Sequence, residues 1–329
     1  MEVFMKRKML FVLIGLLMLT LVSSCTTEIK PEQLKVVAPA GATAISIAKP
    51  MKDTAEVEGV AVQYEVVPTT DLIVARMTAK EADFAVIPVN LAAQLYQKKL
   101  PYKLAAAVTW GNLFIASQEQ LDGWGALKGK EIYLMGKGLV PDIVFRTLLK
   151  ENGLDPDKDV TLVYLSGATE LAPNFLAGKA QVSMLPEPVL TTVRIKKHET
   201  HVILDLQQEW NKVFETEKGY PQAGIFVRDE LIQRSPQLVK NYLKVLEEGM
   251  LWLNENPSEA GLYAEELEMG LPAAVVEKSM PGNNIRYQSA ANVQKELENF
   301  FQILYDFNPA TVGGALPDDG LYYGLKSGD

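Results

Sequence analysis

From residue 34 onward, short apolar runs alternate with amphipathic stretches, the pattern of strands that feed helices in an α/β sheet. Residues 34–38, 60–67 and 84–88 read as strands. They are followed by helices over 44–51, 72–78 and 91–97. In the second of these helices Leu72, Val74, Ala75 and Met77 form the face expected to turn inward. Residues 104–108 and 113–117 are further strands, interrupted by Thr109-Trp110-Gly111-Asn112. A second series then begins, with strands over 131–134, 160–165, 180–185 and 201–206 and helices between them.

After 224–227 the pattern becomes helical, starting at Ser235-Pro236, where proline occupies a first helical position. Helices are expected over 235–254, 257–267, 272–280 and 291–305. The simplest topology is two α/β lobes joined by two crossing strands, the first near 108–114 and the second near 223–227. Residues 34–112 would then form the first part of lobe 1, 113–224 lobe 2, and 225–329 a helical return to lobe 1. A cleft between such lobes suits a small molecule, and closure about the crossings is its natural motion.

The first 24 residues change where this fold is expected to work. Lys6-Arg7-Lys8 precede 14 uncharged residues, 9–22, too few for a membrane span of about 20 but suited to a signal segment. The run ends in Leu21-Val22-Ser23-Ser24-Cys25, and Cys25 is the only cysteine of the 329-residue chain. This resembles a bacterial lipobox, which implies that Cys25 is lipidated and becomes the mature N-terminus. Residues 25–33 are polar, contain Pro31 and read as a tether. Without the signal segment the chain has 29 basic and 40 acidic residues, which disfavours a nucleic-acid surface. One cysteine excludes a disulfide framework or a cysteine-based zinc site, and two histidines leave little room for imidazole chemistry. His198 and His201 stand beside Lys196 and Lys197 and read as a solvated loop, so neither a metal nor a cofactor is expected.

Ligands in open α/β sheets sit beyond the carboxyl ends of strands, and this rule selects the candidate residues. Gly41-Ala42-Thr43 follows the first strand, where small residues let backbone N–H groups approach a solute and Thr43 adds a hydroxyl. Thr69 and Thr70 follow the second strand and serve as ligands or as helix caps. Asn90 can donate and accept, and it too could cap a helix. In the second lobe Gly136-Lys137-Gly138 opens a helix whose N-terminus would suit an anion, and Ser166 and Thr169 lie in the next turn. Glu187, fixed between Pro186 and Pro188, could meet a cationic group, bridge the lobes or cap a helix. Trp110 could stack on a ring or pack beneath the hinge. No arginine lies in these loops, so a bidentate anion clamp is not evident. An anion would therefore depend on helix N-termini and Lys137, and a neutral or weakly cationic heterocycle on Asn90, Glu187 and Trp110.

Taken in order, Pro39-Ala40-Gly41-Ala42, Ile87-Pro88-Val89-Asn90, Trp110-Gly111, Gly136-Lys137-Gly138 and Leu185-Pro186-Glu187-Pro188 resemble the nitrate/taurine-type substrate-binding proteins of ABC importers. Leu316-Pro317-Asp318-Asp319-Gly320 is similar to the closing segment of that family. The resemblance covers about 34–325 and implies the type II periplasmic-binding fold. It also implies a monomeric receptor that passes a small solute to a membrane permease with a cytoplasmic ATPase. Relatives include alkanesulfonate and thiamine-precursor binding proteins. A pyrimidine-synthesising enzyme on the same scaffold, or a solute-sensing ectodomain, are the other functions it allows.

Overall fold

A computed structural model describes residues 28–325; the signal segment and Cys25 lie outside the described residues. The first half of lobe 1 contains β1 (Gln33–Pro39), α1 (Ala42–Ile45), α2 (Ala48–Asp53), β2 (Glu56–Val57), β3 (Val60–Val67), α3 (Thr70–Thr78), β4 (Phe84–Pro88), α4 (Val89–Gln97) and β5 (Tyr102–Thr109). Lobe 2 follows with β6 (Leu113–Ser117), β7 (Glu131–Met135), α5 (Val140–Glu151), β8 (Thr161–Leu165), α6 (Ala168–Leu176), β9 (Val182–Pro186), α7 (Val189–Lys196), β10 (His201–Asp205) and α8 (Leu206–Phe214). The chain then returns through β11 (Ala223–Arg228), α9 (Asp229–Arg234), α10 (Pro236–Glu255), α11 (Pro257–Glu266), α12 (Ala273–Asn283), β12 (Ile285–Ser289) and α13 (Gln294–Phe307).

Two sheets result. The larger has strand order β12-β5-β11-β4-β1-β3-β2, and the smaller β10-β6-β9-β7-β8. The interior strands β4 and β9 are almost wholly buried, which explains why they read as unbroken apolar runs rather than alternating ones. β1 pairs in parallel with β3 and β4, and β7 with β8 and β9, so the carboxyl ends of these strands form one rim on each sheet.

Several elements differ from the sequence reading. The first helix divides into α1 and α2, with a break at Ser46-Ile47. On α3 the buried pair is Ile73 and Met77, while Leu72 is exposed. The expected tether is largely body: Gln33 opens β1, and Glu28 to Lys30 bond to the fold. No strand is expected at β12, whose mixed Ile-Arg-Tyr-Gln-Ser pattern pairs at the open edge of β5. The return crossing lies at 215–222, earlier than expected, because all of β11 pairs with β4 and β5.

The crossings are packed rather than loose. Trp110 is buried, and its indole N–H donates to the Arg286 carbonyl at 3.2 Å. Beside it Trp210, Tyr220 and Phe300 form an aromatic group, with Trp210 lying 5.3 Å from Tyr220 and 5.5 Å from Phe300. Phe300 belongs to α13 of the return and Trp210 to α8 of lobe 2, so apolar packing is continuous through the second crossing.

Candidate functional site

Every loop selected from the sequence falls on one of the two rims. On the large sheet these are the turns after β1, β3 and β4; on the small sheet, those after β7, β8 and β9. The side chains separate into two groups. Thr69, Lys137, Ser166 and Thr169 are exposed, whereas Ala42, Asn90, Trp110 and Glu187 are buried.

The exposed group, and the half-buried Gly41 and Thr43, are partly committed to local bonds. Gly41 has φ +103°, a left-side conformation that glycine adopts without strain, and its carbonyl accepts from Ala44 and Ile45. The Thr43 hydroxyl donates to the Pro39 carbonyl at 2.7 Å. Thr69 precedes α3, but its side chain makes no capping bond. Ser166 donates to the Glu170 carboxylate. The Lys137 ammonium lies 5.3 Å from the centre of the Tyr164 ring. The proposed anion cradle at Gly136–Gly138 already has an occupant: the Asp142 carboxylate accepts from the Gly138 N–H at 2.8 Å and from the Tyr164 hydroxyl at 2.6 Å. A carboxylate at this helix N-terminus takes one of the backbone donors that an incoming anion would use.

The buried group joins the lobes. Asn90, fully buried in the first turn of α4, donates from Nδ2 to the Gly138 carbonyl of lobe 2 and to the Thr311 carbonyl, both at 3.3 Å. Glu187 is 8% exposed. Its carboxylate accepts from the Thr191 N–H at 3.0 Å and from the Thr191 hydroxyl at 2.9 Å, capping α7. It forms no ion pair among the described residues. Burial pushes its pKa above the ordinary 4.5, against the Thr191 bonds and the more distant charge of Arg194. Of the two roles expected for Trp110, its burial beneath the crossing, with Arg286 5.5 Å from its ring, matches packing under the hinge.

The structure adds residues that sequence reasoning missed. Asn112 and Glu187 exchange bonds: the Glu187 N–H donates to the Asn112 carbonyl, and Asn112 Nδ2 to the Glu187 carbonyl at 3.1 Å. Asn283, at the end of α12, follows Gly282, which abuts the Glu187 side chain. Gln222 accepts from the Val89 N–H through its carbonyl at the base of the Asn90 turn. Asn90 Oδ1, Asn112 Oδ1, Gln222 Oε1 and Asn283 Oδ1 are all buried with no hydrogen-bond partner among the described residues. The Asn112 signal lay within the crossing motif, whereas Asn283 became visible only when α12 was placed against lobe 2. No group of three His, Cys, Asp or Glu suited to a metal ion occurs among the described residues.

Comparison with known proteins gives this arrangement its family. The family described as NMT1/THI5 like matches residues 52–260. The chain belongs to that family. This NMT1/THI5-like chain is 26% identical to an ABC transporter protein from Parabacteroides distasonis, covering 89% of this chain and 99% of that one with a TM-score of 0.78. The alkanesulfonate-binding protein SsuA from Xanthomonas axonopodis pv. citri, solved bound to MOPS, is 15% identical, with 88% and 96% covered and a TM-score of 0.66. The periplasmic nitrate-binding protein NrtA from Synechocystis PCC 6803 is also 15% identical, with 86% and 84% covered and a TM-score of 0.65. These likenesses establish the mixed α/β periplasmic-binding fold. A putative binding protein of Bacillus subtilis, YtlA, is 21% identical over 148 residues, which span 44% of this chain and 42% of that protein. The match therefore covers less than half of that relative's length.

Proposed function

We propose that the chain is a lipid-anchored, extracytoplasmic solute-binding protein of an ABC importer. It takes up a small polar organic solute between its lobes and passes it to a membrane permease with its ATPase. Capture is by closure, without covalent chemistry. The observation that carries this reading is a set of buried amide oxygens without a bond among the described residues. They are those of Asn112, which bonds to the Glu187 backbone, of Asn283, whose neighbour Gly282 touches Glu187, and of Asn90 and Gln222 at the start of α4. Unpaired buried acceptors cost about 1–3 kcal/mol each, so a solute that supplies donors stabilises the closed form.

The same inventory favours one class of solute. The Gly138 N–H is taken by Asp142, and the loops selected from the sequence hold no arginine, so a sulfonate or nitrate would depend on Arg286 at the crossing, whose guanidinium lies 5.5 Å from the Trp110 ring. The acceptors suit a neutral or cationic solute rich in N–H or O–H groups. Catalysis on this scaffold is less well supported. His198 is exposed, and His201 pairs with Ser117 at the end of β6 remote from the crossing.

Isothermal titration of the mature chain tests the reading, using amines, aminopyrimidines, alkanesulfonates and nitrate as probes. Binding is expected for the donor-rich compounds. Binding of sulfonates or nitrate alone would overturn the solute class, and silence with all four groups would overturn the receptor.

A further inference from the structure

Two residues, Thr26 and Thr27, separate Cys25 from Glu28, the first described residue bonded to the fold. The Glu28 carboxylate accepts from the Gln237 N–H and so caps α10, a 20-residue helix. The Ile29 N–H donates to the Arg234 carbonyl at 3.0 Å, and its carbonyl accepts from the Ser235 hydroxyl at 2.7 Å. Lys30 pairs with Glu58 at 3.1 Å. The backbone of Ile29 is thus held on both sides, yet its side chain is 61% exposed, the highest value among the exposed large hydrophobic residues described.

This attachment lies at the pole of lobe 1 opposite the cleft. β1 runs from Gln33 at that pole to Pro39 at the rim, about 20 Å for seven residues. β11 runs the other way and delivers α9 and the start of α10 to the same pole. At its far end α10 reaches the rim, where Asn254 Nδ2 donates to the Ile285 carbonyl at 2.7 Å and Ile285 pairs with Thr109. Three Cα steps from Cys25 to Glu28 span at most ~11 Å.

Given the lipidation of Cys25 proposed above, on which this inference rests, we propose that the pole formed by Glu28–Lys30, Glu58 and the α9–α10 junction lies against the lipid surface. The Ile29 side chain reaches the bilayer interface. In this resting pose the body stands upright on a short leash, its cleft about 20 Å or more from the surface, and it must tilt on that leash to present the cleft to the permease.

The test uses the mature lipidated chain reconstituted in phosphatidylcholine vesicles containing a nickel-chelating lipid. With Cys25 acylated, Lys240→Cys or Asp122→Cys adds a single free thiol for a spin label. Lys240 is exposed on α10 near the pole, and Asp122 is exposed in lobe 2. Relaxation by the nickel lipid is expected to be several-fold stronger at position 240 than at 122. Inserting a ten-residue Gly/Ser linker between Thr27 and Glu28 should remove most of that difference. Ile29→Ser should reduce it while leaving the unfolding temperature of the detergent-solubilised chain unchanged, because the side chain packs little against the fold. Equal relaxation at both positions in vesicle-bound protein would overturn the orientation and leave the anchor standing. Absence of the chain from the vesicle fraction would overturn the anchor, and the orientation with it.

Discussion

Gly282 of α12 abuts Glu187 across the lobe boundary: a β-carbon built on Gly282 would lie 2.9 Å from Glu187 Cγ and 3.3 Å from its Oε1. Alanine there improves helix propensity by up to about 1 kcal/mol, yet wedges the two lobes apart. Gly282→Ala should therefore weaken solute affinity by about tenfold, or ~1.4 kcal/mol, with little loss of thermal stability. Titration calorimetry and a melting curve on the same sample separate the two effects. A large fall in melting temperature would show that the contact supports folding rather than closure.

Gly111 sits at the first crossing with φ +61°, and a β-carbon there would lie 2.5 Å from Gln207 Cγ and 2.9 Å from Tyr220 Cζ. Both neighbours are buried, so neither can step aside cheaply. Gly111→Ala combines an unfavourable backbone with overpacking, and should destabilise by roughly 2–4 kcal/mol in urea unfolding. A change below about 0.5 kcal/mol would mean that the crossing repacks freely.

Much of this architecture was legible because the buried strands β4 and β9 write themselves as apolar runs and the half-exposed β3 and β7 as mixed apolar and polar ones; with β1, all were placed within a residue or two. The loops at their carboxyl ends followed from topology, which brought Asn90 and Glu187 onto the correct rims. Their roles did not follow, because hydrogen-bond partners such as Thr311 for Asn90 lie 221 residues away. The edge strand β12 is only five residues long and shows two apolar positions, Ile285 and Tyr287, too few to read, so Asn283 just before it stayed hidden. Asp142 was visible, but that it would fill the Gly138 anion position depends on how α5 begins.

Glu187 gives the protein a pH dependence of known sign. Its carboxyl holds a proton more tightly in the fold than in the unfolded chain, because burial penalises the charged form. Below the ordinary 4.5 the group adds no penalty; as pH rises through the raised value the charged form destabilises the fold. Glu187→Gln keeps an acceptor and removes the charge. Its melting temperature relative to the parent should therefore be higher at about pH 7 than at about pH 4. The same variant should lose well over tenfold in affinity for a cationic solute, if that solute meets the carboxylate. A melting difference that does not move with pH would mean that the carboxylate is solvated in solution.

The lipid attachment proposed at Cys25 makes a simple fractionation prediction. Two acyl chains hold a protein stably on a bilayer where one is marginal. Cys25→Ser should move the chain from the membrane pellet to the soluble fraction without altering solute affinity, since the cleft lies at the opposite end of β1. Retention of the serine variant in the pellet would refute the anchor.

Asp142 provides the sharpest test of solute charge. Its carboxylate fills the N-terminus of the 12-residue helix α5 and also accepts from Tyr164, whose phenol is pushed up by burial and by this neighbour and so stays a donor. Asp142→Ala frees the Gly138 N–H and leaves that hydroxyl unpaired, which should destabilise by about 1–2 kcal/mol. It also creates an opening for an anion, with Arg146, now 3.9 Å from Asp142, nearby. Millimolar sulfate should then raise the melting temperature of Asp142→Ala by several degrees and that of the parent hardly at all. If sulfate stabilises the parent equally, an anion already reaches the cleft despite Asp142, and the donor-rich solute class fails.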